Sequence, residues 1–245
     1  MDTPTYSERG AGAPVLLLHG GAGPMSVTDY ADRLAAGHPY RVITPTHPGF
    51  DGTPRPDSLT TVGGLADVYV SLLDALDLTG VTVVGNSIGG WIAAEIGIRR
   101  SPRVDRLVLV DAVGLEVPGH PVAGTFGLTL PELADLSYHD PDRFRIDPSV
   151  LPPAARAAMA GNRAALTLYA PSMVDATLRD RLPAIGVPTL VVWGDADRIV
   201  SPEYGRAYAD AIPGARFEVL PKTGHLPQLE SPDLFTDVLA GFVGR

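Results

Sequence analysis

The sequence predicts an α/β fold, a mostly parallel, doubly wound sheet interrupted by one inserted helical cap. Three observations lead there. Short aliphatic and β-branched runs alternate with stretches whose apolar residues recur at helical spacing, the pattern of parallel strands joined by crossover helices. The runs end in Gly, Pro, Asp or His, where a strand stops and the chain turns. The alternation is then suspended over residues 115–183, where no strand-like run occurs and Pro, Ala, Leu and Asp dominate.

Taken in order, residues 5–9 suit an antiparallel edge strand, and 15–18 form the first fully apolar run, followed by a helix over 27–36. A strand over 41–44 leads to a helix over 62–76, and a strand over 81–84 to a helix over 88–100. The run 107–110 closes the first half. In the insertion Pro118, Pro121, Pro131, Pro141, Pro148, Pro152, Pro153 and Pro171 cut the chain into short helices over 131–137, 152–158 and 161–169, because proline ends or opens a helix. The alternation resumes with a strand over 189–193, a helix over 203–211, a strand over 217–220 and a helix over 232–243. The expected division is a core of 1–114 and 184–245 with a helical cap at 115–183.

Composition narrows the function. With 45% hydrophobic and 19% charged residues the chain has a globular balance that excludes disorder as its main state. A formal charge of -9 argues against nucleic acid or an anionic membrane as partner, and the partner expected from the site residues below is a small-molecule substrate. The absence of cysteine excludes disulfides, thiolate catalysis and Cys-ligated metal. Residues 1–10 are polar and the first apolar run is only a strand long, so neither a signal peptide nor a transmembrane helix is expected, and the chain reads as soluble and cytoplasmic. His38, His120 and His139 are scattered without metal-ligand spacing, so no metal is expected. Gly21, Ala22 and Gly23 are not followed by Lys-Ser/Thr and complete no Gly-x-Gly-x-x-Gly, so no nucleotide cofactor is expected.

The chemistry concentrates in Val81-Thr82-Val83-Val84-Gly85-Asn86-Ser87-Ile88-Gly89-Gly90, where a buried strand meets a helix through Gly-x-Ser-x-Gly. A serine on so sharp a turn brings neighbouring backbone close, which is why Gly85 and Gly89 flank it. Its hydroxyl then sits at a helix N-terminus, where the Ile88 N–H and the helix dipole are available to an oxyanion. An alcohol needs a base, and the base an orienting acid. Thr223-Gly224-His225 places an imidazole just beyond one predicted strand end. Trp193-Gly194-Asp195-Ala196-Asp197 places two competing carboxylates beyond another, and Asp111 offers a third, with an Asx turn as its plainer role. All of these lie at strand carboxyl ends, the edge where open α/β sheets bind ligands.

The order Ser87, Asp197, His225 resembles the α/β-hydrolase family over nearly the whole chain. Gly-Asn-Ser-Ile-Gly-Gly resembles its nucleophile elbow, Trp-Gly-Asp-Ala-Asp-Arg-Ile-Val-Ser-Pro its acid loop and Gly-His-Leu-Pro-Gln-Leu-Glu-Ser-Pro its histidine loop. The resemblance implies an α/β-hydrolase fold and a serine hydrolase working through an acyl-enzyme, with Ser87 as nucleophile, His225 as base and Asp197, by the family's Gly-x-x-Asp spacing, as acid. In His19-Gly20-Gly21-Ala22-Gly23 it implies that Gly21 donates the second oxyanion N–H, with Ile88 as the first, and that His19 braces the loop. In the insertion, Phe126 and Leu166 are candidates to line an acyl pocket, and Arg163 to hold a substrate carboxylate, although a solvated helix face is its plainer reading. Ester, lactone and vinylogous-diketone carbon–carbon hydrolysis all fit the elbow, while Leu226 departs from the tryptophan usual in the carbon–carbon enzymes. Cofactor-free oxygenase or perhydrolase chemistry uses the same triad, and a receptor with little turnover is the reading from another class, since fold does not settle function.

Overall fold

The computed structural model describes residues 3–147 and 149–244, which leaves out Pro148, one of the prolines expected to divide the insertion. The chain opens with β1 (Tyr6–Gly10), β2 (Ala13–Leu18), α1 (Met25–Gly37), β3 (Tyr40–Pro45), α2 (Val62–Ala75), β4 (Val81–Asn86), α3 (Ile88–Ile98) and β5 (Val104–Val110). Next come α4 (Leu130–Ser137), α5 (Pro141–Phe144), α6 (Pro153–Tyr169), α7 (Leu178–Arg181) and a 3₁₀ turn (Leu182–Ala184). It closes with β6 (Thr189–Gly194), α8 (Pro202–Ala211), β7 (Arg216–Leu220), α9 (Pro227–Glu230) and α10 (Pro232–Val243). The seven strands form one sheet in the order β1-β3-β2-β4-β5-β6-β7. β1 pairs antiparallel with β3, Tyr6 opposite Pro45, and every other pair is parallel. This is an α/β-hydrolase fold, with helices on both faces of the sheet.

The buried stretches of β2, β4, β5 and β6 read as nearly continuous apolar runs because both faces are covered. Their side chains alternate between two cores: Leu16, Leu18, Val83, Leu107, Leu109, Val191 and Trp193 pack with α2, α3 and α8, while Val15, Leu17, Val84, Val108, Val110, Leu190 and Val192 pack with α1 and α10. α3 is buried along nearly its whole length, with Glu95 its one charged side chain before the C-terminus. That carboxylate is neutralised by Arg99 at 2.9 Å and by Arg181 of α7 at 2.8 Å, so the segment between β5 and β6 supplies one of its two cations. Among the described residues no helix is long and apolar enough to cross a membrane.

The segment between β5 and β6 departs most from expectation in its longest helix. The two helices expected over 152–158 and 161–169 are a single helix, α6, that runs through Gly161. Asn162, Ala165 and Tyr169 form its buried face, and Tyr169 Oη donates to Pro48 O at 2.9 Å, so packing outweighs the glycine's poor propensity. A Cβ at Gly161 would meet nothing within 4 Å. Gly161→Ala is therefore expected to raise stability by about 0.5–1 kcal/mol in urea denaturation; a lower midpoint would contradict this account. The short helices α5, α7 and α9 carry too few residues to show a periodicity in sequence.

Candidate active site

The loops that follow β2 through β7 meet at the carboxyl edge of the sheet, which is how residues far apart in sequence become neighbours. Ser87 follows β4 with φ 58° and ψ -119°, a sparsely populated region that costs about 1–3 kcal/mol and persists only where the surroundings over-determine it. They do so here. Ser87 N donates to Val110 O at 2.9 Å, and Ser87 O accepts from Gly90 N at 3.0 Å and Val113 N at 3.3 Å. A Cβ on Gly85 would stand 2.0 Å from Gly89 O, and one on Gly89 would stand 2.5 Å from Leu18 O. The close approach inferred from the two flanking glycines is thus real, and the loop after β2 takes part in it.

Asp197 and His225 come together in a buried pair: His225 Nδ1 donates to Asp197 Oδ2 at 2.7 Å. Asp197 Oδ1 accepts from Ile199 N at 2.7 Å and Val200 N at 3.1 Å, which fixes the carboxylate on both oxygens. Asp195, the competing carboxylate, accepts from Thr223 N at 3.2 Å instead. Ser87, Asp197 and His225 are 7%, 5% and 6% exposed, so all three lie beneath the surface. The elbow and the histidine loop are fastened by Asn86, whose Nδ2 donates to His225 O at 2.8 Å and whose Oδ1 accepts from Gln228 Nε2 at 3.2 Å.

The loop after β2 lies against the elbow, since a Cβ on Gly20 would come within 3.2 Å of Ser87 Cβ. His19 holds this loop. Its Nδ1 bonds Gly20 O at 2.7 Å and its Nε2 accepts from His47 N at 3.1 Å, while His47 Nε2 bonds His19 O at 2.9 Å. These partners require Nδ1–H on His19, whose ring is therefore neutral, and Nε2–H on His47. Burial pushes His19 down to about 4, and burial, with the neighbouring His19 ring adding to it, pushes His47 well below the usual histidine range.

Residues between β5 and β6 reach both sides of this edge. On one side, His225 N donates to Ser137 O at 2.7 Å, and Glu230 accepts from Gly224 N at 2.6 Å and from His139 N and Asp140 N at 3.1 and 2.9 Å. On the other, Asn162 accepts from Asp51 N at 2.7 Å and donates to Ala22 O at 3.3 Å, and a Cβ on Gly21 would sit 2.7 Å from Leu166 Cδ2. Leu166 therefore covers the loop after β2. Phe126 is 36% exposed, and Arg163 donates both terminal nitrogens to Leu128 O and Thr125 O at 3.1 and 2.8 Å, so its guanidinium is committed to the 125–128 backbone. Asn86, Asn162 and Glu230 had no assigned role in the sequence. The available signals were a polar residue inside the elbow, a lone amide on an apolar helix face and an acid five positions after the histidine.

A strained serine between strand and helix, a buried imidazole–carboxylate pair and a braced glycine loop at one sheet edge define the class of α/β hydrolases. The chain belongs to the alpha/beta hydrolase family, whose model matches residues 15–238, and is a hydrolase enzyme. It is 30% identical to 2-hydroxy-6-oxo-6-(2'-aminophenyl)hexa-2,4-dienoic acid hydrolase of Metapseudomonas resinovorans, over 98% of this chain and 87% of that protein. It is likewise 30% identical to Lipase 1 of Psychrobacter immobilis, over 98% of this chain and 80% of that one. Among solved structures it is similar to a thermophilic esterase from Thermogutta terrifontis, with a TM-score of 0.79, 26% identity, and 98% and 92% of the two chains covered.

Proposed function

We propose that the chain is a serine hydrolase that cleaves a small ester or lactone through a Ser87–His225–Asp197 triad and an acyl-enzyme. The observation that carries this reading is the buried 2.7 Å contact from His225 Nδ1 to Asp197 Oδ2, made by a carboxylate already fixed by two backbone N–H groups. That contact puts the ring proton on Nδ1 and leaves the Nε2 lone pair to take the proton of Ser87 as its oxygen attacks the carbonyl. Negative charge then develops on the carbonyl oxygen. Ile88 N–H, in the first turn of α3 where the helix has no internal acceptor for it, and Gly21 N–H receive that charge. The imidazolium returns its proton to the departing alkoxide, and a water activated by the same nitrogen hydrolyses the acyl-enzyme. Residues 115–183 act as a cap over the site, with Leu166 closing the acyl side above Gly21.

Carbon–carbon hydrolysis of a vinylogous diketone uses the same steps with a carbanion as leaving group. The 30% identity to the dienoic acid hydrolase favours it, and Leu226 beside the histidine favours the ester reading. Parallel assays on p-nitrophenyl butyrate, a small lactone and a dienoate separate the two. A fluorophosphonate is expected to label wild type at Ser87 within minutes and to leave Ser87→Ala unlabelled; labelling at another residue, or none, would overturn the triad.

A further inference from the structure

Asp111, at the end of β5, is fully buried beside the imidazole–carboxylate pair. It sits at φ 45°. Its Oδ1 accepts from Gly194 N at 2.9 Å, while its Oδ2 is buried and receives no donor. Ligand-type atoms of Asp111, Asp197 and His225 all lie within 4.8 Å of one another. Two carboxyl groups are therefore enclosed with one imidazole, and among the described residues no Lys or Arg pairs with Asp111 to balance a second full negative charge there. Asp197 receives three donors, from Ile199 N, Val200 N and His225 Nδ1. Asp111 receives one. Proton sharing between close carboxyls goes to the group with fewer donors, which is Asp111.

We propose that Asp111 is a positioning residue kept as a neutral carboxylic acid, its proton on Oδ2 shared with the Asp197 carboxylate, so that a single oriented negative charge faces His225. This rests on the triad reading above. Burial, with the neighbouring Asp197 charge adding to it, pushes the Asp111 carboxyl well above the usual carboxylate range. Among the described residues the titratable groups facing it are Asp197 on the loop after β6 and His225 on the loop after β7; the elbow packed against the same turn presents Asn86 and Ser87, neither of them charged. A metal shared by the three residues fits less well. Two ligands about 2.0–2.1 Å from a tetrahedral zinc stand roughly 3.3 Å apart, whereas His225 Nδ1 and Asp197 Oδ2 are at the 2.7 Å of a shared proton.

Two variants of the full chain test this. Asp111→Asn keeps the acceptor for Gly194 N and replaces the acid proton with an amide donor; Asp111→Ala removes both. On p-nitrophenyl butyrate, Asp111→Ala is expected to lose on the order of tenfold in kcat, and Asp111→Asn to recover most of that loss with the acid limb of kcat/KM moved by less than about half a unit. An Asp111 that carried a charge would pull that limb down by about a unit or more when neutralised. Melting temperature supplies a readout that needs no activity. An acid whose folded pKa is raised above 3.8 contributes stability that is fully present below that pH and is lost as pH rises. Asp111→Asn escapes that loss, so its melting temperature should gain on wild type from about pH 4 toward neutrality. A gap that does not change with pH, or a large shift of the acid limb in Asp111→Asn, overturns the proposal. If Ser87→Ala keeps its activity, the triad reading fails instead, while the melting comparison still locates the Asp111 proton.

Discussion

Ser87→Gly is expected to abolish turnover and to raise the melting temperature in the same variant. The hydroxyl is the proposed nucleophile, and its removal from a triad leaves only binding and oxyanion stabilisation, so kcat on p-nitrophenyl butyrate should fall by at least about 10⁴-fold. The backbone at Ser87, with φ 58° and ψ -119°, is a conformation glycine adopts at little cost and serine at about 1–3 kcal/mol. Glycine's extra freedom in the unfolded chain returns part of that gain, about 0.5–1 kcal/mol. The net is roughly 1 kcal/mol, or about 2–4 °C in a chain of this size. Ser87→Ala keeps the strain and should lose activity without the stabilisation. A variant at Ser87 that retains turnover would exclude the acyl-enzyme, and an unchanged melting temperature in Ser87→Gly would show that the turn stores no strain.

Gly85→Ala should fail to fold. Its Cβ would stand 2.0 Å from Gly89 O, 2.4 Å from Gly89 C and 2.8 Å from Gly90 N, all backbone atoms of the first turn of α3. No side-chain rotation relieves such a contact; α3 must lift off β4, and it is buried almost from end to end. A cost above about 4 kcal/mol follows, a large part of the stability of an ordinary domain. The checks are soluble yield and the urea midpoint, with Gly161→Ala, which adds the same atom in open space, as the matched comparison. A Gly85→Ala protein with a wild-type midpoint would refute the packing account of the elbow.

The reach of sequence reasoning followed the range of the interactions. Strands such as β4 and β6 were legible because burial on both faces leaves a continuous apolar signature, and the meeting of the Ser87, Asp197 and His225 loops at one sheet edge because each residue sits in a local motif just past a strand. The single helix α6 was not legible. Gly161 looks like a break in isolation and is overruled by Asn162, Ala165 and Tyr169 packing on the core. Arg163 suggested a substrate anchor, yet its partners are carbonyls 35 and 38 positions away. Asn86 and Glu230 act through hydrogen bonds to His225 O and to backbone N–H groups of the 139–140 segment. Such pairings leave no mark in any window of sequence, because one end of each is an anonymous peptide group. Asp111 was visible as an acid at a strand end, but its partner Gly194 N and its approach to Asp197 exist only once β5 and β6 lie side by side.

The attachments of α4 and α6 bear on how specificity in this scaffold can be redesigned. Ser137 O holds the backbone of His225 itself, and Asn162 stitches together the loops after β2 and β3. The helical segment is therefore not a detachable module: a chimera that imports a foreign helix set wholesale also deletes the struts on which the His225 loop and the loop after β2 rest. A transplant that keeps Ser137 through Asp140 and the Asn162 face, and exchanges only the outward residues between them, changes the helical surface while leaving the loops that carry Gly20, Ser87 and His225 mounted.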